Sequence, residues 1–103
     1  MDKYLLKFIW FKNKSIAVSL DLKILDKTVP LTEYFFWPKS DAWEDMRVCL
    51  ESIDWINSTD IVKILNQLTE VINYWQDTNV SQSNLDCDSI KQKFPACKFV
   101  FLD

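Results

Sequence analysis

The sequence predicts an α+β fold: an antiparallel β-hairpin plus a short third strand, packed on two antiparallel α-helices, with a C-terminal tail. Three observations carry this reading. In residues 3–11 and 15–22 every even position is apolar, a period of two. Residues 41–76 contain two stretches with the three-and-four spacing of amphipathic helices, each behind a capping signal. Between them lies a short aromatic run bounded by prolines, Pro30-Leu-Thr-Glu-Tyr-Phe-Phe-Trp-Pro38.

The hairpin comes from residues 3–11 and 15–22. Tyr4, Leu6, Phe8 and Trp10 share one face of the first strand, and Ile16, Val18, Leu20 and Leu22 share one face of the second. A three-residue Lys12-Asn13-Lys14 loop pairs Phe11 with Ser15, Trp10 with Ile16, Phe8 with Val18 and Leu6 with Leu20. A two-residue loop would split that apolar face, so register selects the odd loop, with Asn13 or Lys14 left-handed. The other face mixes Lys3, Lys7, Ser19 and Asp21 with Leu5, Ile9 and Phe11. Residues 23–29 read as a connection. Thr32 to Trp37 reads as the third strand, stopped by Pro38, with Tyr34 and Phe36 on one side and Phe35 and Trp37 on the other.

The first helix starts at the Asp41-x-x-Glu44 capping pattern and runs to Ile53–Asp54, with Ala42, Trp43, Met46, Cys49, Leu50 and Ile53 on its apolar face. Asn57-Ser58-Thr59-Asp60 starts a second helix, whose stripe is Ile61, Ile64, Leu65, Leu68, Ile72 and Trp75, ending near Gln76. Trp55, in the joint, is expected to wedge the helices apart. Residues 77–84 turn polar and read as a linker. Beyond it, residues 89–93 suit a helical turn, and 97–102 a strand on a sheet edge or a tail ordered by a partner. This divides the chain into an α+β domain over 1–77 and an extension of unknown role over 78–103.

Composition narrows the function. A chain of 103 residues makes one domain with little core to spare. No apolar run is long enough to span a membrane, and Met1–Phe11 reads as neither a signal nor a transit peptide, so the chain is expected to work where it is made. Phe, Ile, Asn and Lys are abundant while Ala, Arg and Pro are scarce, which fits an AT-rich genome such as an organelle's. Glycine is absent, so left-handed positions are expected to fall on Asn or Asp. Cys49, Cys87 and Cys97 have no CxxC spacing and no histidine beside them. Cys49 reads as a small core residue, and the alternatives of a Cys87–Cys97 bridge and two free thiols stay open.

The catalytic inventory is poor. Without histidine the usual neutral-pH proton carrier is missing, and no phosphate-binding glycine loop or nucleophile elbow is present. Glu44/Asp45 cap a helix, where the macrodipole favours acids, and Asp86/Asp88 lack neighbouring ligands. No enzyme activity, cofactor, metal or small-molecule substrate is expected. Charge is more telling: residues 1–39 carry seven lysines against four acids, while residues 40–79 carry Arg47 and Lys63 against eight acids. An overall net charge of −3 is wrong for wrapping nucleic acid by bulk attraction. The aromatic load is heavy, 15% with five Trp, in a domain that hides only about two-thirds of its unfolded surface. If 34–37 is a strand, both its faces can be buried only if something covers each. RNA-base stacking is the weaker option here, because no aromatic is clearly flanked by an Arg/Lys cluster in a known recognition motif.

Three stretches are familiar. LKFIWFKNKSIAVSLD (Leu6–Asp21), PLTEYFFWPKSDAWEDMRVCLESIDWI (Pro30–Ile56) and VKILNQLTEVINYWQ (Val62–Gln76) closely resemble the plastid-specific ribosomal protein 3 family of plastids and cyanobacteria. The resemblance covers residues 4–77; residues 78–103 have no counterpart in that pattern, and KILDKT lacks its glycine-containing loop. It implies a structural component of the plastid (chloroplast) small ribosomal subunit, in the stroma and plastid-encoded, with small-subunit rRNA and adjacent small-subunit proteins as partners. The contact candidates are Lys3, Lys7, Lys12, Lys14, Lys39, Arg47, Tyr34, Phe35 and Trp37. The alternative is a free-standing protein-interaction module using the aromatic segment 34–37.

Overall fold

The computed structural model describes residues 3–11, 15–81 and 87–102. Its element order is β1 (Tyr4–Phe11), β2 (Ser15–Ile24), β3 (Lys27–Pro30), β4 (Phe35–Trp37), α1 (Ala42–Glu51), α2 (Ser58–Ser81), α3 (Cys87–Lys93) and β5 (Lys98–Leu102). The sheet order is β3-β2-β1-β5, and β4 also pairs with β2, so β3 and β4 share one edge of that strand. The α+β class stands.

The hairpin register is the expected one: Phe11 faces Ser15, Trp10 faces Ile16, Phe8 faces Val18 and Leu6 faces Leu20. The loop that sets it, with Lys12, Asn13 and Lys14, lies outside the described residues. Even-numbered residues of β1 and β2 from Tyr4 to Leu20 are all buried. They join Ala42, Met46 and Leu50 of α1 and Ile64, Leu65, Leu68, Val71 and Trp75 of α2 in one core. A strand face of period two thus meets helix stripes of period 3.6.

Two short strands, rather than one, line the outer edge of β2. The segment expected to be a mere connection, residues 23–29, holds the end of β2 and most of β3, with Ile24 opposite Lys27. That leaves a two-residue turn, and Leu25 takes the left-handed conformation, φ 56°. The expectation that Asn or Asp would fill such a position fails here. Leu25 is 99% exposed, so no packing explains its choice, and its Cβ crowds the backbone. β4 is shorter than expected and antiparallel to β2, with Ala17 opposite Phe36.

Asp41 caps α1 by accepting the Glu44 N–H at 3.1 Å, and Asn57 caps α2 by accepting the Asp60 N–H at 2.9 Å. Trp43 Nε1, in the first turn of α1, donates to Thr69 Oγ1 in the middle of α2 at 2.9 Å, as antiparallel helices joined by a short turn require. Trp55 does not wedge that joint: it is 57% exposed, and the neighbouring Ile56 is buried instead. Helix α2 also outruns its expected end, continuing to Ser81 through the polar residues read as a linker. Once a helix is formed, polar exposed residues extend it, and this stretch holds no glycine or proline to stop it.

The C-terminal segment completes the sheet. β5 runs parallel to β1, with Phe99 beside Phe8 and Phe101 beside Trp10. Phe99 stacks on Phe8 at 5.3 Å between ring centroids, and Trp10 and Phe94 lie within 6.2 Å of it. Ile90 and Phe94 are buried in the same core. Cys49 is a partly exposed free thiol, and so is Cys97; the side chains of Cys87 and Asp88, and the whole of Asp86, lie outside the description.

Candidate functional site

All the helices' buried residues and the even-numbered residues of β1 and β2 enclose one side of the sheet; β5 widens that side rather than crossing to the other. No helix packs on the odd face of the sheet among the described residues, although Ala17, Ser19 and Asp21 in its centre are buried. Register builds its surface. Ile9 lies between Ala17 and Val100, and Ala17 is opposite Phe36, so Phe36, Ala17, Ile9 and Val100 form a row across four strands. Ala17 is buried between bulkier neighbours, while Phe36 and Val100 at the ends are 43% and 45% exposed.

Beside that row Lys7 is flanked by Ser19 and Lys98. Its Nζ lies 3.1 Å from Asp21 Oδ2 and 5.8 Å from the centre of the Tyr34 ring. Asp21 is almost wholly buried, and a buried carboxylate is tolerable only when paired, so Lys7 serves the fold as well as the surface. Lys23 follows on the same face by strand alternation and is exposed, as is Lys98. The described odd face therefore presents three lysines and no exposed acid.

Structure sorts the expected contact residues. Lys7 and Tyr34 lie together on the odd face. Lys3 is exposed, but its ammonium lies 5.5 Å from the Tyr4 ring, towards the helical side. Lys39 is exposed beyond β4, and Lys12 and Lys14 are outside the described residues. Phe35 and Trp37 are half-buried against the core, leaving Tyr34 and Phe36 as the outward rings of the segment. Arg47 is bound on its own helix, by Glu44 and by Glu51 at 2.8 Å. Its hydrogen bond holds the Glu44 carboxyl below the usual carboxylate range, and the two carboxylates push the guanidinium further up. Sequence reading missed Phe36, Lys23, Lys98 and Val100. Parity within the hairpin could have found Lys23, but only the docking of β5 reveals the other two C-terminal residues.

The helical side is of opposite character. Asp41, Glu44, Asp45, Glu51, Asp54, Asp60, Glu70 and Asp77 lie on or beside α1 and α2, against Arg47 and Lys63. An open groove of ≈ 570 Å³ between the β3–β4 connection and α1 is lined by Glu33, Phe35, Asp45 and Cys49, among others. Burial, and then the charge of Glu33, push the Cys49 thiol up, the reverse of what a nucleophile needs. Among the described residues no cluster of three or more His, Cys, Asp or Glu could hold a metal, and no helix is long and apolar enough to cross a membrane.

Among the described residues the helices pack on one side of the sheet only, with lysines and rings on its odd face and acids on its helical side. Comparison with known proteins names the family. The family described as plastid and cyanobacterial ribosomal protein (PSRP-3 / Ycf65) matches residues 31–78. Small ribosomal subunit protein cS23 of Euglena viridis is 52% identical over 103 residues, all of both chains. That of Gracilaria tenuistipitata var. liui is 42% identical over 100 residues, 97% of each chain. The probable cS23 of Synechococcus sp. (strain JA-3-3Ab) is 47% identical over 77 residues, 75% of this chain and 77% of its own. The chain belongs to the plastid and cyanobacterial ribosomal protein family, and as such is a structural protein rather than an enzyme. The family model ends at residue 78, in keeping with the expectation that residues 78–103 lie outside the family pattern, while the Euglena viridis relative aligns over those residues as well.

Proposed function

We propose that this protein is a structural component of the small ribosomal subunit of plastids, working in translation, and that it docks on rRNA through the odd face of its sheet. Similarity over the whole length of proteins named for that subunit supports the first part. The second rests on one observation: among the described residues, the face left bare by the helices carries Lys7, Lys23 and Lys98 and no exposed acid, whereas the helical side carries the excess of carboxylates. Phosphates approaching the sheet meet positive charge, and those approaching the helices meet repulsion. Orientation, rather than net charge, thus reconciles a chain of net charge −3 with an RNA partner. A plastid-encoded product in the stroma agrees with an amino-acid composition rich in residues with AT-rich codons, and neighbouring small-subunit proteins complete its surroundings.

Changing Lys23 and Lys98 together to Glu should deplete the protein from small subunits in sucrose gradients at physiological salt. The same charge change at Lys63 and Lys91, on helices, should leave it bound. Equal loss from both pairs, or from neither, would remove the odd face from the docking account.

A further inference from the structure

We infer that the odd face receives unpaired RNA bases, one of them stacked on Phe36, and does more than attract the phosphate backbone; this rests on the rRNA-docking reading above. Phe36 is a flat apolar ring, 43% exposed on a strand whose other two side chains, Phe35 and Trp37, are turned into the core. It is held at the sheet edge by the pairing of β4 with β2, so its position is fixed without a ligand. Next to it lies Ala17, the smallest residue of the row and wholly buried between its neighbours, so Phe36 is the exposed ring at that end of the row.

The charges around the row fit the same ligand. Lys7 and Lys98 are neighbours across β1 and β5, two residues along from Ile9 and Val100 on the same face, so two lysines lie beside the row. Tyr34, two residues before Phe36 and therefore about 7 Å away along an extended chain, is also outward and partly exposed. Lys7 lies over its ring. Rings interleaved with lysines on a sheet surface are what a single strand uses, its bases stacking while its phosphates meet the cations. A duplex keeps its bases inside and offers only phosphates. Strand pairing brings Lys7 from β1 and Lys98 from β5 onto the face that carries Phe36, from which both are distant in sequence.

The test uses the full chain with labelled oligouridylate and a blunt RNA duplex of equal length, compared by fluorescence anisotropy at several salt concentrations. The single strand should bind at least about tenfold tighter. Phe36→Ala should weaken it by roughly five- to hundredfold, the range for losing one stacked base, while Phe36→Tyr retains binding and Phe36→Leu does not. Lys98→Gln should weaken both RNAs and reduce the salt slope by about one. Near-ultraviolet circular dichroism of each variant confirms an unchanged fold. Equal affinity for both RNAs, with Phe36→Ala neutral, would overturn base stacking while leaving phosphate docking intact. No binding to either RNA, with the Phe36→Ala variant lost from small subunits, would overturn both and assign the face to a protein neighbour.

Discussion

Phe99 offers the sharpest test of how the C-terminal segment contributes to this fold. Its ring is 94% buried by the fractional exposure of 6%, stacked on Phe8 at 5.3 Å with Trp10, Phe94 and Phe101 around it. Replacing Phe99 by Ala removes the ring's transfer energy and leaves a cavity whose walls belong to β1, β5 and the turn after α3. Such substitutions cost about 3–5 kcal/mol. A domain of this size holds roughly 5–15 kcal/mol in all, so the loss takes a large share, lowering Tm by roughly 15–30 °C. Phe101→Ala, at a half-buried ring on the same strand, should cost about half as much. Urea unfolding followed by tryptophan fluorescence measures both. A loss below about 1 kcal/mol for Phe99→Ala, with the m-value unchanged, would refute the view that β5 belongs to the cooperative core.

Other outcomes follow from single residues. Leu25→Asn or Leu25→Gly should stabilise the protein by about 1 kcal/mol, because the strained left-handed leucine makes no buried contact; a destabilisation in the same urea assay would show that the turn is not strained. Lys7→Met should cost about 2 kcal/mol by leaving the buried Asp21 carboxylate unpaired, and Lys7→Met with Asp21→Leu should recover most of it. Additive losses in that cycle would mean that the pair contributes no coupling. The Cys97 thiol is pushed up to about 12 from an ordinary 9.0, first by burial and then by the charge of Glu70. Because its folded value is the higher one, its contribution to stability is complete below about pH 9 and is lost as pH rises towards 12. At pH 8, native Cys97 should react with iodoacetamide far more slowly than after unfolding, as peptide mass spectrometry would show; equal rates would contradict its burial.

Much of this architecture was legible in the residues. The hairpin register followed from parity, because shifting it by one residue would have put Trp10 opposite Ala17 and broken the apolar face. Both helix starts followed from side chains that cap, Asp41 and Asn57, and the stripe on α2 lacked only Val71. The errors have physical causes. A turn of two residues at Leu25 and Asp26 was hidden because its left-handed position falls on Leu25, a residue that rarely takes that conformation. The end of α2 was hidden because polarity does not terminate a helix. The functional surface was half legible: Lys7 and Tyr34 are there, but the rule that alternate residues face opposite ways does not say which set meets the helices. That choice puts Phe35 and Trp37 inward and Phe36 outward. The lysines of the hairpin could not be joined to Lys98 until β5 was seen to pair with β1.

The orientation of the protein on its subunit tests the account most directly. A density map of the plastid small subunit containing this chain should place Phe36, Lys23 and Lys98 against rRNA, with the acidic residues of α1 and α2 turned away from phosphates. A map with α1 and α2 on the rRNA and the odd face of the sheet open to solvent would contradict it.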